Sequence, residues 1–308
     1  MKEPNASALT YVQMHAHSKF SINPLSGEGA FHPFIWPLER LVMKRAMLTP
    51  KQIAHLAMRA GIDIVAITDH NTVPELSEDL LEHVIPGEEW GNFRGHANII
   101  GIHEPIAPEA GYFKRYTLKE PRTFFEAVRI AHGEGAFVTI NHPFKSDCWM
   151  WGSESYENAD AVEIWNGPWN EENDRALKAW QDLLIAGLHI RAMAGSDFHV
   201  KGLFRIDRNL IVFREKVKTT ELIGKLDEGQ YSLAWSRDSP TVFLSKELEY
   251  HIINYRSGLR LRIIHGDSAE EMINPEPEGK IENYKDAFVR MELWDGNLPT
   301  SFTNAVFL

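Results

Sequence analysis

The residues able to do chemistry in this chain are histidines and carboxylates that stand at the ends of short apolar segments. His15 and His17 follow the first segment, and Asp69 and His70 follow the segment from Ile62 to Ile67. Four later segments lead to the rest of the set, which is Glu89, His96, His142, Asp197 and His199. Neutral imidazole and carboxylate are ligands for Zn²⁺, Mn²⁺ or Fe, and a carboxylate can bridge two cations. These residue types therefore predict a site for more than one metal.

The apolar segments have the pattern of strands in a parallel sheet covered by helices. Thr49 to Gln52 and Thr123 to Glu126 are capping boxes that open helices, and each of these helices runs into one of the strands. Strands alternating with helices in this number predict a closed or nearly closed barrel, with an open doubly wound sheet as the alternative. The histidines and carboxylates would then lie at the C-terminal rim, where such barrels carry their active sites.

Two regions are expected along the chain. Residues 1–237 are predicted to form the α/β barrel, with an insertion over about 19–48 that is either a functional lid or a loop packed on the barrel. Residues 238–308 contain strand-like pieces without matching helices, which predicts a small β-rich extension packed on the barrel. No Gly-x-Gly-x-x-Gly or P-loop pattern indicates a nucleotide cofactor.

Composition narrows the classes of partner. The net charge of −11 argues against a nucleic-acid polymer or an anionic membrane surface, because both attract clustered Lys and Arg. The single cysteine, Cys148, excludes an internal disulfide and favours a reducing compartment. Neither a signal-like N-terminus nor a run of about 18 apolar residues is present. We therefore expect a soluble cytoplasmic protein with a small-molecule substrate.

Several residues near the predicted rim have two interpretations. Asp69 is expected to orient a ligating histidine rather than to bind metal itself. His103 is an alternative to His96, but it lies seven residues further along the same segment. Lys145 either neutralises a substrate phosphate or is solvated, and Asn166 either lines the pocket or closes a turn. Lys145 and Asn166 are the two candidates for substrate binding.

Six motifs in order resemble those of the polymerase and histidinol phosphatase (PHP) superfamily. They are His15-Ala-His17-Ser, Thr68-Asp-His70, Pro86-Gly-Glu-Glu89, Gly95-His96-Ala-Asn, Asn141-His142-Pro and Gly195-Ser-Asp197-Phe-His199. The Gly-His-Ala-Asn motif and Glu163-Ile-Trp-Asn166-Gly are most similar to the carbaryl-hydrolase-related branch. The resemblance covers roughly residues 11–215 and implies a distorted (β/α)7 barrel, TIM-like, with two or three divalent metals, Zn, Mn or Fe, at its rim.

The resemblance also implies which residues hold each metal. One metal would be held by His15, His17, Glu89 and Asp197, a second by Glu89, His96 and His142, and a third by His70 and His199. Family members often carry an Asp where this chain has Ile22, which cannot ligate. The third site is therefore expected to be weak, or to be completed by Glu28 or His32 from the insertion.

For function, the resemblance implies a phosphoesterase. A hydroxide bridging the metals would attack the phosphorus of a small phosphomonoester, a nucleotide among the candidates, with Glu89, Asp197 and His199 as the catalytic residues. One alternative is a carbamate or other ester hydrolase that uses the same metals. Another is a barrel that binds metal or a partner without catalysis.

Overall fold

A computed structural model of the chain describes residues 9–21, 45–92, 94–106, 123–145, 149–282 and 286–308, apart from the side chain of residue 92. The described α-helices are α1 (Pro50–Arg59), α2 (Phe124–Gly133), α3 (Glu171–Ile185) and α4 (Leu222–Glu228). The first nine strands are β1 (Thr10–Gln13), β2 (Ile64–His70), β3 (Val84–Asn92), β4 (Gly95–Ile100), β5 (Phe137–Ile140), β6 (Ala161–Asn166), β7 (Arg191–Gly195), β8 (Leu210–Phe213) and β9 (Ser232–Ala234). The others are β10 (Thr241–Leu244), β11 (Glu249–Ile253), β12 (Leu259–His265), β13 (Ser268–Ile273), β14 (Glu278–Lys280), β15 (Phe288–Asp295), β16 (Leu298–Thr303) and β17 (Val306–Phe307).

The first two helices begin at the capping boxes seen in the sequence. The hydroxyl of Thr49 accepts a hydrogen bond from the Gln52 backbone N–H, and the Gln52 side chain accepts one from Thr49 N–H. Thr123 and Glu126 make the same reciprocal pair at the start of α2. Both pairs satisfy N–H groups that a helix start leaves without partners. Of the described helices, none has the length and apolar character needed to cross a bilayer.

One large sheet organises the described chain. It has 14 strands, in the order β13, β12, β15, β16, β9, β8, β1, β2, β3, β4, β5, β6 and β7, with β17 paired to β15. The runs β1 to β3 and β5 to β7 are parallel, whereas β4 is antiparallel to both of its neighbours and β8 is antiparallel to β1. The fold is therefore mixed α/β, with a large sheet and few helices among the described residues.

The sheet is not closed, so the predicted closed (β/α)7 barrel is not confirmed. The strand β7 ends the sheet, and side chains from elsewhere satisfy backbone groups along it. Ala192 N–H donates to Asn304 Oδ1 over 2.7 Å, and Ala192 C=O accepts from the Tyr231 hydroxyl over 3.0 Å. Ser196 N–H, just beyond β7, donates to Gln13 Oε1 over 3.0 Å. These side chains do what a neighbouring strand would do in a closed barrel.

The C-terminal strands continue the large sheet and carry a second one. Strand β16 pairs antiparallel with β9, in the register Ser301 opposite Ala234, and β15, β12 and β13 follow outwards. A three-stranded sheet of β10, β11 and β14 packs against them around a shared apolar core that includes Val242, Leu261 and Met291. The domain boundary predicted at residue 237 stays a prediction.

Replacing Asn304 by Ala should lower the free energy of unfolding by about 1–3 kcal/mol, because the buried Ala192 N–H loses its acceptor. Urea unfolding of the metal-free protein measures the change. Asn158→Ala is the matched control, since that exposed amide bonds only a helical carbonyl, and its effect should stay within about 0.5 kcal/mol. Equal losses in the two variants would contradict the role of Asn304.

Candidate metal centre

The edge of the sheet at the C-terminal ends of its parallel strands brings the predicted ligands together. His15 and His17 follow β1, His70 ends β2, Glu89 lies near the end of β3, and His142 follows β5. Asp197 and His199 follow β7. Because β4 runs antiparallel to β3, the start of β4 lies at this same edge, where His96 is opposite Gly91. All eight side chains are buried, with exposed fractions between 0% and 6%.

Two backbone hydrogen bonds join the segments that follow β1 and β7. His17 N–H donates to Phe198 C=O over 2.7 Å, and Phe198 N–H donates to His15 C=O over 3.2 Å. The pair forms an isolated parallel bridge between Ala16 and Phe198. Residues separated by about 180 positions in sequence are thereby placed side by side, with His15 and His17 on one segment and Asp197 on the other.

Glu89 lies at the middle of the buried cluster. It is opposite His70 in the parallel register of β2 and β3, and Asn141 Nδ2 donates to its Oε1 over 2.9 Å. Its carboxylate oxygens approach ring nitrogens of five histidines, which are His70 (2.8 Å), His142 (3.2 Å), His15 (3.4 Å), His17 (3.4 Å) and His96 (3.8 Å). A carboxylate between two sets of imidazoles has the arrangement of a bridging ligand.

Asp197 is the second carboxylate of the cluster. Its Oδ1 lies 3.3 Å from Nε2 of His17, 3.5 Å from Nε2 of His15 and 3.3 Å from Nδ1 of His199. Its Oδ2 lies 3.2 Å from the ammonium of Lys145, whose side chain is 34% exposed. Asp197 therefore links the histidine cluster to the ammonium group of Lys145, which solvent can reach.

Four overlapping groups of side chains could each hold a cation. Within each group the potential ligand atoms lie no more than 4.8 Å apart, and the groups are His17, His70 and His199; His15, His17 and Glu89; His15, His142 and Asp197; and Glu89, His96 and His142. Together they contain all eight residues predicted as ligands. Because the groups share members, the cluster is suited to more than one cation.

Unsatisfied polar atoms in the cluster also fit a metal. Nε2 of His70 and Nε2 of His199 are buried and have no hydrogen-bond partner among the described residues. Each such atom costs about 1–3 kcal/mol in a protein interior. A divalent cation accepts lone pairs from imidazole and carboxylate, so its binding would remove this cost. The donor set contains nitrogen and oxygen without thiolate and suits Zn²⁺, Mn²⁺ or Fe.

The electrostatics keep both carboxylates ionised. Burial raises the pKa of Glu89, but the rings of His70 and His96 outweigh burial and hold that pKa well below its usual value. Burial likewise raises the pKa of Asp197, and Lys145 and His15 outweigh it, so this pKa is also well below its usual value. Both groups therefore have the charge state that a metal requires of a ligand.

Two histidines of the first motif have opposite pKa shifts. Burial, helped by the neighbouring His199, moves the pKa of His17 well below its usual value, so this ring is neutral near pH 7. Burial also lowers the pKa of His15, but the carboxylates of Glu163 and Asp197 outweigh burial and raise that pKa well above its usual value. Of these two rings, His15 is therefore the one whose charged form the surrounding carboxylates stabilise.

The remaining predicted residues have other contacts. Asp69 lies outside the four groups and accepts hydrogen bonds from the backbone and hydroxyl of Ser18, which fixes the chain after His17. Asn166 donates from Nδ2 to Glu163 over 3.0 Å. His103 is exposed at the far end of its segment. Ile22, Glu28, His32 and Cys148, with most of the predicted insertion, lie outside the described residues.

No role for Glu163 was predicted from the sequence. Its carboxylate is 2% exposed, lies 3.1 Å from Nδ1 of His15 and accepts a hydrogen bond from His142 N–H over 3.0 Å. The signal was present, because Glu163 stands between Val162 and Ile164 in an otherwise apolar strand. A charge in such a strand has to have partners in the interior.

Comparisons with known proteins give partial similarities. No family model matches the chain. An uncharacterized protein of Methanocaldococcus jannaschii is 26% identical over 160 residues, which is 50% of this chain and 80% of that protein.

Three solved structures are also similar to part of the chain. One is a protein from Bifidobacterium adolescentis with a provisionally assigned metal-dependent phosphoesterase activity, with a TM-score of 0.40 and 15% identity over 62% of this chain and 88% of the other. An amidohydrolase from Chromobacterium violaceum has a TM-score of 0.41 and 16% identity over 62% of this chain and 88% of the other. PsfC from Pseudomonas syringae has a TM-score of 0.42 and 13% identity over 70% and 88%. Similarities of this size assign neither a family nor an activity, and the function has to be argued from the centre itself.

Proposed function

We propose that this protein is a metal-dependent hydrolase acting on a small phosphomonoester, a nucleotide among the candidates. The observation that carries the proposal is Glu89, a buried carboxylate whose two oxygens lie within 3.8 Å of ring nitrogens from five histidines. Burying a carboxylate among so many imidazole rings is unfavourable unless a cation binds there. Hydrolysis at a site of several metals is a common use of such a ligand set.

Two or three divalent cations would be held by overlapping sets of ligands. His15, His17, Glu89 and Asp197 would form one subsite, and Glu89, His96 and His142 a second, with Glu89 shared. His70 and His199, which form a group with His17, would contribute to a third. When bound, such cations lower the pKa of water and stabilise negative charge on an ester oxygen.

The protein's own side chains would orient the substrate beside these subsites. Lys145 is a partly exposed ammonium 3.2 Å from Asp197, so it can pair with an anionic substrate group at the edge of the centre. Because the chain as a whole has a net charge of −11, the lysine at this position does not reflect a general excess of positive charge. Lys145 thus favours a phosphoester over a neutral carbamate or carboxylic ester. Asp197 contacts Lys145 on one side and His199 on the other, and Asp197 and His199 are proposed to contact the reacting group together with Glu89.

Metal binding is the first expected outcome. Metal-free protein should take up more than one equivalent of Mn²⁺, Zn²⁺ or Fe²⁺ and become more stable, by about 2.7 kcal/mol when the free metal is 100 times its Kd. Elemental analysis gives the stoichiometry, and calorimetry with and without EDTA gives the change in Tm. Protein that retains no metal and shows no change in Tm with any of the three ions would contradict the proposal.

Glu89→Gln should remove the shared ligand and with it both metal and turnover. We expect activity on an aryl phosphate to fall by more than about 100-fold, which is the upper range for loss of only an outer partner of a ligand. Glu88→Gln is the matched control, because Glu88 is the neighbouring buried carboxylate of β3 and binds the Ile106 backbone N–H instead. The control should keep its metal content. Full metal occupancy in Glu89→Gln would show that Glu89 is not the bridge.

Lys145→Ala tests the class of substrate. The KM for phosphomonoesters should rise about 10-fold to 100-fold, the range for loss of a hydrogen bond to a charged group, while the KM for a neutral aryl carbamate stays the same. Metal content is measured in parallel, because Lys145 also contacts Asp197. Lys178→Ala, at an exposed position of α3, is the control for loss of a surface charge. Turnover of carbamates alone would favour the ester hydrolase, and full metal without any turnover would favour a protein that binds metal or a partner without catalysis.

A further inference from the structure

We infer that Glu163 is a positioning residue that fixes the tautomer of His15 and so determines the affinity of one metal subsite. Glu163 can have this role only if the proposed metal centre exists. Glu163 lies in β6 and is not one of the clustered ligand groups. Its carboxylate instead contacts two members of those groups, His15 and His142.

Every described hydrogen-bond contact of the Glu163 carboxylate is with a nitrogen that can donate. Oε1 lies 3.1 Å from Nδ1 of His15, and Oε2 accepts from His142 N–H and from Asn166 Nδ2, each over 3.0 Å. An ionised carboxylate is only an acceptor, so the contact requires the hydrogen of the His15 ring to be on Nδ1. In the neutral ring that a cation requires of its ligand, this leaves the lone pair on Nε2.

The freed nitrogen is the one that faces the proposed metals. Nε2 of His15 lies 3.4 Å from Oε1 of Glu89 and 3.5 Å from Oδ1 of Asp197. His17 differs, because its Nδ1 has no hydrogen-bond partner among the described residues. A carboxylate that holds the distal nitrogen of a ligating histidine sets its tautomer and raises its basicity. Of the two rings in the first motif, His15 is the one held in this way.

The pair of His15 and Glu163 packs closely against the backbone of β7. A Cβ atom added at Gly195 would lie 2.4 Å from Cβ of His15 and 2.6 Å from Oε1 of Glu163, so the pair lies directly against bare backbone of β7. The second oxygen of Glu163 supports His142, whose φ of 25° is in the left-handed region that a histidine rarely adopts. One carboxylate thus connects His15 of the first subsite to His142 of the second.

Glu163→Gln separates these two functions. An amide offers one oxygen and one NH₂, and the oxygen is needed where His142 N–H and Asn166 both donate. The NH₂ would then face Nδ1 of His15, which could only accept, and the ring would carry its hydrogen on Nε2 toward the metal. We expect the affinity of the subsite containing His15 to fall about 10-fold to 100-fold, while the subsite of Glu89, His96 and His142 keeps its affinity.

Calorimetric titration of the metal-free full chain with Zn²⁺ measures both affinities without any substrate. Long-range ¹H–¹⁵N NMR of the metal-free protein reports the tautomer, because Zn²⁺ on Nε2 would place the hydrogen on Nδ1 in any variant. The His15 ring should have hydrogen on Nδ1 in the wild type but not in Glu163→Gln. Asn166→Ala is the matched control, because it removes one donor to the same carboxylate and leaves the acceptor in place. It should keep both the tautomer and the two affinities.

If Glu163→Gln does not fold, the pair Glu163→Asp and Glu163→Asn makes the same comparison, and only Glu163→Asp should preserve the affinity of the subsite containing His15. Equal affinities in wild type and Glu163→Gln, or the same loss at both subsites with an unchanged His15 tautomer, would overturn the positioning role. Wild-type protein that binds no Zn²⁺ would instead overturn the proposed function. The two failures are therefore distinguishable.

Discussion

The interaction on which the rest of this structure depends is the burial of two carboxylates among histidine rings. Glu89 and Asp197 are 0% and 5% exposed, so hydration by bulk water does little to stabilise the charge of either carboxylate. Removing an ion from water costs several kcal/mol, and nearby rings repay this only when they carry or share a positive charge. A bound cation would supply that charge for all of them together. Because such a site does not exist in an unfolded chain, the free energy of metal binding would also stabilise the fold.

The open sheet and the metal centre are connected through Gln13. Its Oε1 accepts from His15 N–H over 3.1 Å and from Ser196 N–H over 3.0 Å, and its Nε2 donates to the carbonyls of Ile206 and Arg208. One buried amide therefore fixes the end of β1, the end of β7 and the loop before β8. In a closed barrel, strand pairing would fix these three segments. Here this side chain does so together with the two backbone hydrogen bonds that join Phe198 to His15 and His17.

Much of the ligand set could be predicted from the sequence, because its residues follow apolar strands and the ends of parallel strands share an edge. The direction of β4 could have been predicted as well. Only two residues separate β3 from β4, which permits a hairpin and excludes a parallel crossover. The termination of the sheet at β7 could not, since it depends on Asn304 and Tyr231, whose distance from β7 is set by tertiary packing. Glu163 is an intermediate case. The strand that contains it was evident from the sequence, but the alternation of side chains along a strand does not say which histidine a buried carboxylate will face.

The backbone after β5 and β7 explains how two ligands point back into the centre. His142 has φ of 25° and Asp197 has φ of 50°, so the chain leaves each strand through the left-handed region. Such a conformation costs of order 1–3 kcal/mol for a residue with a side chain, and it persists only where its surroundings enforce it. At His142 the bond from its N–H to Glu163 does so, and at Asp197 the neighbouring bridge of Phe198 to His15 does so. The strain is thus absorbed by the same contacts that assemble the ligands, which leaves the centre preorganised before any cation arrives.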